Sequence, residues 1–136
     1  MANFHFELVS PEKLLFAGDV QQVDVPGAEG DFGVLADHAP MVTTLRPGIL
    51  TVHAGGNAQK IVVLGGFAEV SKNGLTVLAE VADAVEDIDR SMIAARIGEL
   101  ESRIAKTDPG SDLDALVRRL DHYKEVDRHL TGTAMH

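Results

Sequence analysis

The residue types that most often carry chemistry are present in this chain, but they are scattered. Six histidines and 21 acidic residues occur among 136, and cysteine is absent. A cysteine nucleophile, a thiolate metal site and a disulfide are therefore excluded. His122 and His129 fall on one predicted helix, about 10.5 Å apart along its axis, which is too far to share a metal ion. We predict that both are solvated surface residues and that the chain has no metal site.

Three glycines could be mistaken for a phosphate-binding loop. Gly27, Gly30 and Gly33 occur at every third position, which is neither the G-x-G-x-x-G pattern nor a Walker loop. No Lys-Ser or Lys-Thr follows, and the segment leads into a strand rather than a helix. No serine lies in a G-x-S-x-G elbow. We therefore predict that these glycines form turns, and that the chain has no catalytic residue and no cofactor.

One histidine has a more suggestive setting. His38 lies in Leu35–Pro40, a predicted loop between strands, where polar residues serve binding more often than packing. A turn histidine that is hydrogen-bonded to its own backbone explains the same residue equally well. Local chemistry leaves both interpretations open.

The elements that must position these residues fall into two halves, in which apolar residues recur at different intervals. From Phe4 to about Ala79, apolar and polar residues alternate in short runs, which is typical of half-buried antiparallel strands. Turn residues separate the runs, and Asn73-Gly74 between two apolar runs predicts a two-residue hairpin turn. Many short strands at this spacing indicate a β-sandwich or barrel as the N-terminal domain, residues 1–84.

The second half, residues 85–136, has the period of helices. Ile93, Ile97, Leu100 and Ile104 recur at intervals of four, three and four, which predicts a helix from about Asp87 to Lys106. Asp108-Pro109-Gly110 breaks it, and Ser111 is predicted to cap a second helix with its hydroxyl. The second apolar stripe consists of Leu113, Leu116, Leu120, Tyr123 and Leu130. The fold class predicted is an antiparallel β-sandwich followed by an antiparallel two-helix hairpin.

The overall charge limits the partners. Lys and Arg total 12 against 21 Asp and Glu, a net charge of −9, which disfavours nucleic acid and anionic lipid surfaces. A neutral or locally basic partner is expected. No apolar run approaches the roughly 20 residues that span a bilayer, and the N-terminal residues lack the pattern of a targeting sequence. We therefore expect no direct membrane insertion, and any membrane association through a partner.

Six collinear segments resemble one protein family. They are Leu8–Glu12, Phe16–Gly18, Pro26–Pro40, Leu45–Gly48, Gly65–Val70 and Val77–Glu80. The ungapped segment Pro26–Pro40 is similar to the signature of F-type ATP synthase epsilon subunits, and the likeness is continuous over roughly residues 4–90. The resemblance implies a non-catalytic rotor subunit that links the gamma shaft to the membrane c-ring and couples proton flow to ATP synthesis. It also implies a peripheral location on the cytoplasmic face of the bacterial plasma membrane.

The resemblance assigns a role to the loop around His38. In the family, an acidic residue and a histidine of this loop face the c-ring, and the matching positions are Asp31 and His38. Glu29 and Asp37 would add to an acidic rim that complements a basic residue of the c-subunit loop. Strand faces beside the loop suggest two further contact candidates for gamma or the ring, Met41 and Val42.

The family's second role is regulatory. Its hairpin can contact the alpha and beta catalytic subunits and inhibit ATP hydrolysis. A basic set on the predicted second helix could serve such contacts, although a solvated helix face explains it equally well. This set is Arg118, Arg119, Lys124 and Arg128.

ATP-binding members of the family carry an Ile- or Leu-Asp-x-x-Arg-Ala motif. This chain keeps Ile88 and Asp89 but has Met92 and Ile93 where Arg and Ala belong. Without that arginine the charge-assisted contact to phosphate is lost. We expect weak or absent ATP binding.

Overall fold

The computed structural model describes residues 2–134, which divide along the chain into two compact units. The boundary falls between Ile88 and Asp89. The first unit is built of strands and the second of two helices. Among the described residues, no helix is long and apolar enough to cross a membrane.

The first unit contains ten strands. They are β1 (Phe4–Val9), β2 (Leu14–Val20), β3 (Gln22–Gly27), β4 (Gly30–Val34), β5 (Met41–Thr44), β6 (Gly48–Ala54), β7 (Asn57–Val63), β8 (Gly66–Ser71), β9 (Gly74–Ala79) and β10 (Ala82–Ala84). They form two five-stranded sheets, which we call sheet 1 (order β2-β1-β9-β8-β5) and sheet 2 (order β10-β7-β6-β3-β4). The predicted sandwich is confirmed.

Neighbouring strands are antiparallel with one exception. Strand β1 pairs with β9 in parallel, and Phe6 lies opposite Leu75. Alternation along a sequence shows which face of a strand is buried but not which way its neighbour runs, so this pairing was not predicted.

The inward faces of both sheets form one apolar core. Phe6 and Leu8 of β1 and Val23 of β3 are fully buried, while the polar residues between them face outward. The alternation seen in the sequence is therefore the alternation between core and solvent. The Phe6 and Phe16 rings contact each other, with centroids 5.4 Å apart.

The β8–β9 hairpin forms where it was predicted, but its two turn residues lie one position earlier in the chain than predicted. Ser71 pairs with Gly74, so Lys72 and Asn73 are the turn residues. Asn73 keeps a negative φ, and Gly74 carries the positive one, 133°. Gly74 also passes so close to β1 that an added Cβ would lie 2.1 Å from the His5 carbonyl oxygen. Close approach, as well as turn geometry, therefore requires glycine there.

The second unit is a helical hairpin of α1 (Arg90–Ala105) and α2 (Ser111–Ala134). Ile93 and Leu100 of the predicted first stripe are buried, which confirms that stripe. On α2 the buried set also includes Val126, which the predicted stripe omitted. Ser111 is the first helical residue rather than the cap, and the Asp114 N–H bonds to the Gly110 carbonyl at 3.0 Å. The predicted hydroxyl cap does not form.

Two glycine substitutions should act in opposite directions. Gly66 has φ 118°, and a Cβ there would lie 2.1 Å from the Leu78 carbonyl oxygen. Gly66→Ala should therefore destabilise the sandwich by more than about 2 kcal/mol. Gly98 lies on an open face of α1 with nothing within 4 Å, and Gly98→Ala should stabilise the hairpin by about 0.5–1 kcal/mol.

Native-state hydrogen exchange separates the two effects, because it reads β8 and β9 independently of α1. Unchanged protection in β8 and β9 of the Gly66→Ala protein would contradict the close-approach argument. Gly98→Ala serves as the matched control for the added methyl group.

Candidate functional site

The acidic turn at the tip of the β3–β4 hairpin is held by an arginine from another part of the chain. Gly27 pairs with Gly30, so Ala28 and Glu29 form the exposed turn. Arg46 donates from Nη1 to the Gly27 carbonyl at 2.6 Å and from Nη2 to the Asp31 carboxylate. The charge of Asp31 is therefore balanced by Arg46. As a result, the tip presents less negative charge to a partner than the sequence predicted.

Arg46 is a functional candidate that sequence reasoning missed. Its side chain is only 19% exposed, whereas that of Asp31 is 73% exposed. A guanidinium with five donors and a fixed fork can hold a carbonyl and a carboxylate together. The signal in the sequence was weak, because the two partners lie 15 residues apart.

A second turn follows β4 at its other end. It connects β4 to β5, the edge strands of the two sheets. The His38 N–H donates to the Leu35 carbonyl at 3.0 Å and closes a turn that exposes Asp37. The His38 ring lies 6.1 Å from the Phe32 ring, centroid to centroid.

The imidazole of His38 also contacts the backbone of the next residue. Nδ1 lies 2.7 Å from the Ala39 carbonyl oxygen. Because a carbonyl can only accept, Nδ1 carries the proton in this contact. His38 is thus a turn histidine whose ring is hydrogen-bonded to the backbone. The contact orients the ring and involves only one of its two nitrogens.

Two shallow grooves meet at this turn. The larger, about 450 Å³, is lined by Gln21 and Gly33 together with the turn residues from Leu35 to His38. The smaller, about 280 Å³, shares His38 and extends to the β8–β9 turn. The smaller groove is also lined by His5, Asp19 and Ser71. His5 Nδ1 lies 3.8 Å from Asp19 Oδ1, whereas the Ser71 hydroxyl accepts from the Asn73 N–H at 3.2 Å. Among the described residues no hydrogen bond joins the Ser71 hydroxyl to a histidine, so the hydrogen-bonded nucleophile and base of a catalytic arrangement are not assembled in this structure.

The predicted loop is therefore an edge strand with a turn at each end. Glu29 and Asp31 lie at the start of β4, and Asp37 and His38 lie beyond its end. Four strand steps of about 3.3 Å separate the ends of β4 by about 13 Å. We call this surface the β4 edge, and it comprises Glu29, Asp31, Asp37 and His38 with the strand between them.

The two contact candidates on β5 face opposite ways. Met41 is half-buried and packs against the core, whereas Val42 is 66% exposed on the outer face of sheet 1. Val42 lies opposite Glu69, one diagonal step from Phe67. Only Val42 is oriented to meet a partner on that face.

Val42 is one end of an exposed apolar row across sheet 1. Leu14 pairs with Val9, Val9 with Leu78, and Leu78 with Phe67. The exposed fraction is 62% for Leu14, 41% for Leu78 and 43% for Phe67. We call Leu14, Val9, Leu78, Phe67 and Val42 the apolar row. A contiguous row of this kind on a small protein marks an interaction surface.

His53 of β6 has a structural role. His53 Nε2 lies 2.8 Å from Asp24 Oδ2, and Gln22 Nε2 donates to Asp24 Oδ1 at 2.7 Å. These contacts tie β3 to β6 on the surface of sheet 2. Within residues 2–134 no group of three or more metal-ligating side chains occurs.

The predicted basic set of α2 does not share one face. Arg119 lies over the Tyr123 ring at 5.7 Å, whereas Lys124 is 3.8 Å from Glu101 on the opposite side of the packed seam. Five residues at about 100° each separate these two side chains by about 140° around the helix. Arg118 and Arg128 are exposed on the outer side.

The histidines of α2 are less solvated than predicted. His122 and His129 are both half-buried, and Nε2 of His129 is buried without a hydrogen-bond partner among the described residues. The buried seam is wider than the leucine stripe indicated, because Val126 is also part of it.

The residues of the degenerate nucleotide motif serve the start of α1. Ile88 is buried, and Met92 is half-buried. Asp89 is the N-cap, and its carboxylate accepts from the Ser91 hydroxyl at 2.5 Å and from the Ser91 N–H at 2.9 Å. These hydrogen bonds, the hydroxyl's first, lower the pKa of Asp89 below its ordinary value of 3.8.

The fold defines the class of protein: a two-sheet β-sandwich followed by a helical hairpin, with a polar edge and an exposed apolar row on the sandwich. Residues 3–85 match the family described as ATP synthase, delta/epsilon chain, beta-sandwich domain. The chain therefore belongs to the ATP synthase delta/epsilon family, and its resemblance to epsilon subunits is confirmed.

Curated relatives match this chain over its whole length. The ATP synthase epsilon chain of Rhodopseudomonas palustris (strain BisA53) is 64% identical over 136 residues, and the match covers 100% of both chains. That of Afipia carboxidovorans is 58% identical over the same span, with the same coverage. Among solved structures, a chain of the Euglena gracilis mitochondrial ATP synthase (OSCP/F1/c-ring in rotational state 1) is 27% identical with a TM-score of 0.69. That match covers 100% of this chain and 83% of the other.

The Asp89 cap gives the hairpin a pH dependence at its first turn. The pKa of Asp89 is lowered on folding, so its stabilising effect is present above the unfolded-state pKa and is lost as the pH falls through the folded-state value. The Ser91 amide, followed by NMR, should titrate with a midpoint below 3.8. Asp89→Asn should abolish that titration, and Asp87→Asn should leave it unchanged. A Ser91 midpoint at or above 3.8 would contradict the cap assignment.

Proposed function

We propose that this chain is the non-catalytic subunit of the central stalk that links the gamma shaft to the c-ring and couples proton flow to ATP synthesis. The observation that carries the proposal is the end-to-end match, at 64% identity, to an ATP synthase epsilon chain. The described surface is consistent with a role in binding two partners, because the sandwich carries both the apolar row and the polar β4 edge. Its location would be peripheral, on the cytoplasmic face of the bacterial plasma membrane.

The β4 edge is the proposed surface for the c-ring. Glu29 and Asp37 are exposed acidic residues without an ion pair among the described residues, and they would meet a basic residue of the c-subunit loop. Charges at such a rim set encounter and register more than affinity. Arg46 keeps the tip rigid by holding the Gly27 carbonyl and Asp31, so the turn does not have to be ordered on binding.

The apolar row is the proposed surface for gamma. Its five side chains belong to all five strands of sheet 1, from Leu14 on β2 to Val42 on β5. A partner seated on this row would be held by strands that are cross-linked by backbone hydrogen bonds. Torque could then pass into the sandwich without bending a single loop, since a packed interior has low compressibility.

Removing the centre of the row should weaken gamma binding. The double variant Phe67→Ser/Leu78→Ser deletes two exposed side chains without entering the core. We expect a loss of about 2 kcal/mol, or about thirtyfold in Kd, in a titration of purified gamma subunit against the full chain.

Leu35→Ser is the matched control, because Leu35 is 56% exposed but lies on the β4 edge. It should leave gamma binding within about twofold. Equal losses in the control and the double variant would exclude the apolar row as the gamma surface. Failure of the unaltered chain to bind gamma at micromolar concentration would overturn the proposed function itself.

The helical hairpin is the proposed regulatory element. Its contacts to the alpha and beta catalytic subunits would use the exposed outer side of α2, where Arg118 and Arg128 lie. ATP is not its expected signal, because Met92 replaces the motif arginine and Asp89 is already engaged as a cap.

A chain ending at Ile88 tests this role. That end point keeps Ile88, whose N–H donates to the Ala84 carbonyl at 3.0 Å, and removes the whole second unit. ATP synthase assembled with the truncated chain should hydrolyse ATP faster while it retains proton coupling. The full chain carrying Arg118→Gln and Arg128→Gln should give an intermediate hydrolysis rate. An unchanged rate of ATP hydrolysis with the truncated chain would exclude the inhibitory role.

A further inference from the structure

The chain crosses from sheet 1 to sheet 2 between β5 and β6. The crossing begins at Thr44, the last residue of β5, and continues through Leu45 and Arg46. We call these three residues the strap. Each of them is paired with or hydrogen-bonded to the tip of the β3–β4 hairpin, and the first two also contact β8. The strap therefore lies between the β4 edge and the apolar row.

Thr44 is shared by both of these surfaces. In the β5–β8 pairing it lies opposite Phe67, a central member of the apolar row. Its carbonyl accepts a hydrogen bond from the Ala28 N–H at 2.9 Å, and Ala28 is a turn residue of the tip. The backbone of one residue thus joins the strand that carries Phe67 to the turn at the start of the β4 edge.

Leu45 makes the same connection one residue further on. Its N–H donates to the Gly66 carbonyl at 2.9 Å, at the start of β8, and it forms an isolated antiparallel bridge with Gly27 at the end of β3. The Leu45 side chain is buried and belongs to the core. The strap is therefore anchored in the apolar layer while its backbone is paired with both sheets.

Arg46 completes the strap with three contacts to the hairpin tip. Its N–H donates to the Pro26 carbonyl at 3.1 Å, Nη1 donates to the Gly27 carbonyl at 2.6 Å, and Nη2 donates to the Asp31 carboxylate. The next residue is Pro47, and a residue that precedes proline favours an extended backbone. The planar guanidinium fork therefore extends from a restricted backbone and bonds to both strands of the hairpin.

The tip needs this support, because the core does not reach it. Ala28, Glu29 and Gly30 are all exposed, and a two-stranded hairpin has little stability of its own. Apolar contacts are non-directional, whereas hydrogen bonds depend on distance and angle. The hydrogen bonds from the strap therefore fix the position of the tip relative to sheet 1.

We propose that the strap is the mechanical link that holds the c-ring surface in register with the gamma surface, and that Arg46 is its positioning residue. This inference rests on the proposed function, because it needs both partners, and it adds the route by which force passes between them. Asp31 then serves the link within the chain, while Glu29 is the exposed charge of the tip that faces the ring.

Hydrogen exchange on the full chain tests whether Arg46 holds the tip. Arg46→Gln removes two charge-assisted hydrogen bonds, so the Ala28 amide should exchange at least about tenfold faster. The amides of β1 and β9 should keep their protection. The Kd for purified gamma should stay within about twofold, because the apolar row is not altered. Lys60→Gln removes the same charge from an exposed position on β7 and is the matched control, in which Ala28 should exchange at the unaltered rate.

Proton pumping by reconstituted ATP synthase tests the link itself. Enzyme with Arg46→Gln should hydrolyse ATP at the normal rate but pump fewer protons per ATP, because a loosened tip disengages from the ring under load. The deficit should increase as the opposing proton gradient builds, which a simple folding defect would not do. Arg46→Lys keeps the charge but not the planar fork, so it should restore part of the pumping. Enzyme with Lys60→Gln should pump normally.

A load-dependent deficit that Arg46→Lys partly restores would support the proposal. An unchanged Ala28 exchange rate in Arg46→Gln would overturn it, and so would an unchanged number of protons per ATP at the highest gradient or a deficit that is equal at all gradients. Weakened gamma binding by Arg46→Gln would also overturn it, since the residue would then support the gamma surface rather than the link. If enzyme with the unaltered chain pumped no protons, the proposed function itself would fail.

Discussion

Every contact surface of the first unit depends on the apolar layer between the two five-stranded sheets. Phe6, Leu8 and Val23 are buried there without measurable exposure, and burying such side chains supplies most of the free energy that opposes chain entropy. Because strand side chains alternate, fixing the inner face fixes the outer face as well. The position of each outward side chain is thus decided by residues that no partner touches.

Charged and polar contacts then determine how individual side chains are presented on these surfaces. Arg46 links the carbonyl at the end of β3 to the carboxylate on β4, so one charged side chain both orders a turn and lowers its net charge. In the second unit Tyr123 has a comparable role, because it gives a hydroxyl to one arginine and a ring face to another. In each unit a single well-placed side chain determines how exposed charge is presented.

Much of this architecture follows from the sequence. Apolar residues recur about every two residues in the first half and about every 3.6 in the second, which distinguished the sandwich from the hairpin. This spacing arises because each element buries one face. The antiparallel direction of most strands was predicted, but the parallel β1–β9 pair and the turn register at Gly74 were not, because they depend on which strands meet in space. Asp31 was predicted to lie in a loop, whereas it lies on β4. Its pairing with Arg46 was not predicted, since Arg46 comes from a distant segment. Likewise the basic residues of α2 were recognised by type, yet their division between opposite sides of the helix depends on where α1 packs.

The parallel pairing of β1 with β9 has a consequence for synthesis of the chain. Phe6 and Leu75 lie 69 residues apart, and at about 5–20 residues per second a ribosome needs roughly 3–14 s to make the intervening segment. During that time β1 can pair only with β2, and its other edge stays open. The cross-strand pair of Val9 and Leu78 completes only afterwards. Partner recognition through this face is therefore unavailable to a nascent or truncated sandwich, which gives assembly a built-in check that the domain is complete.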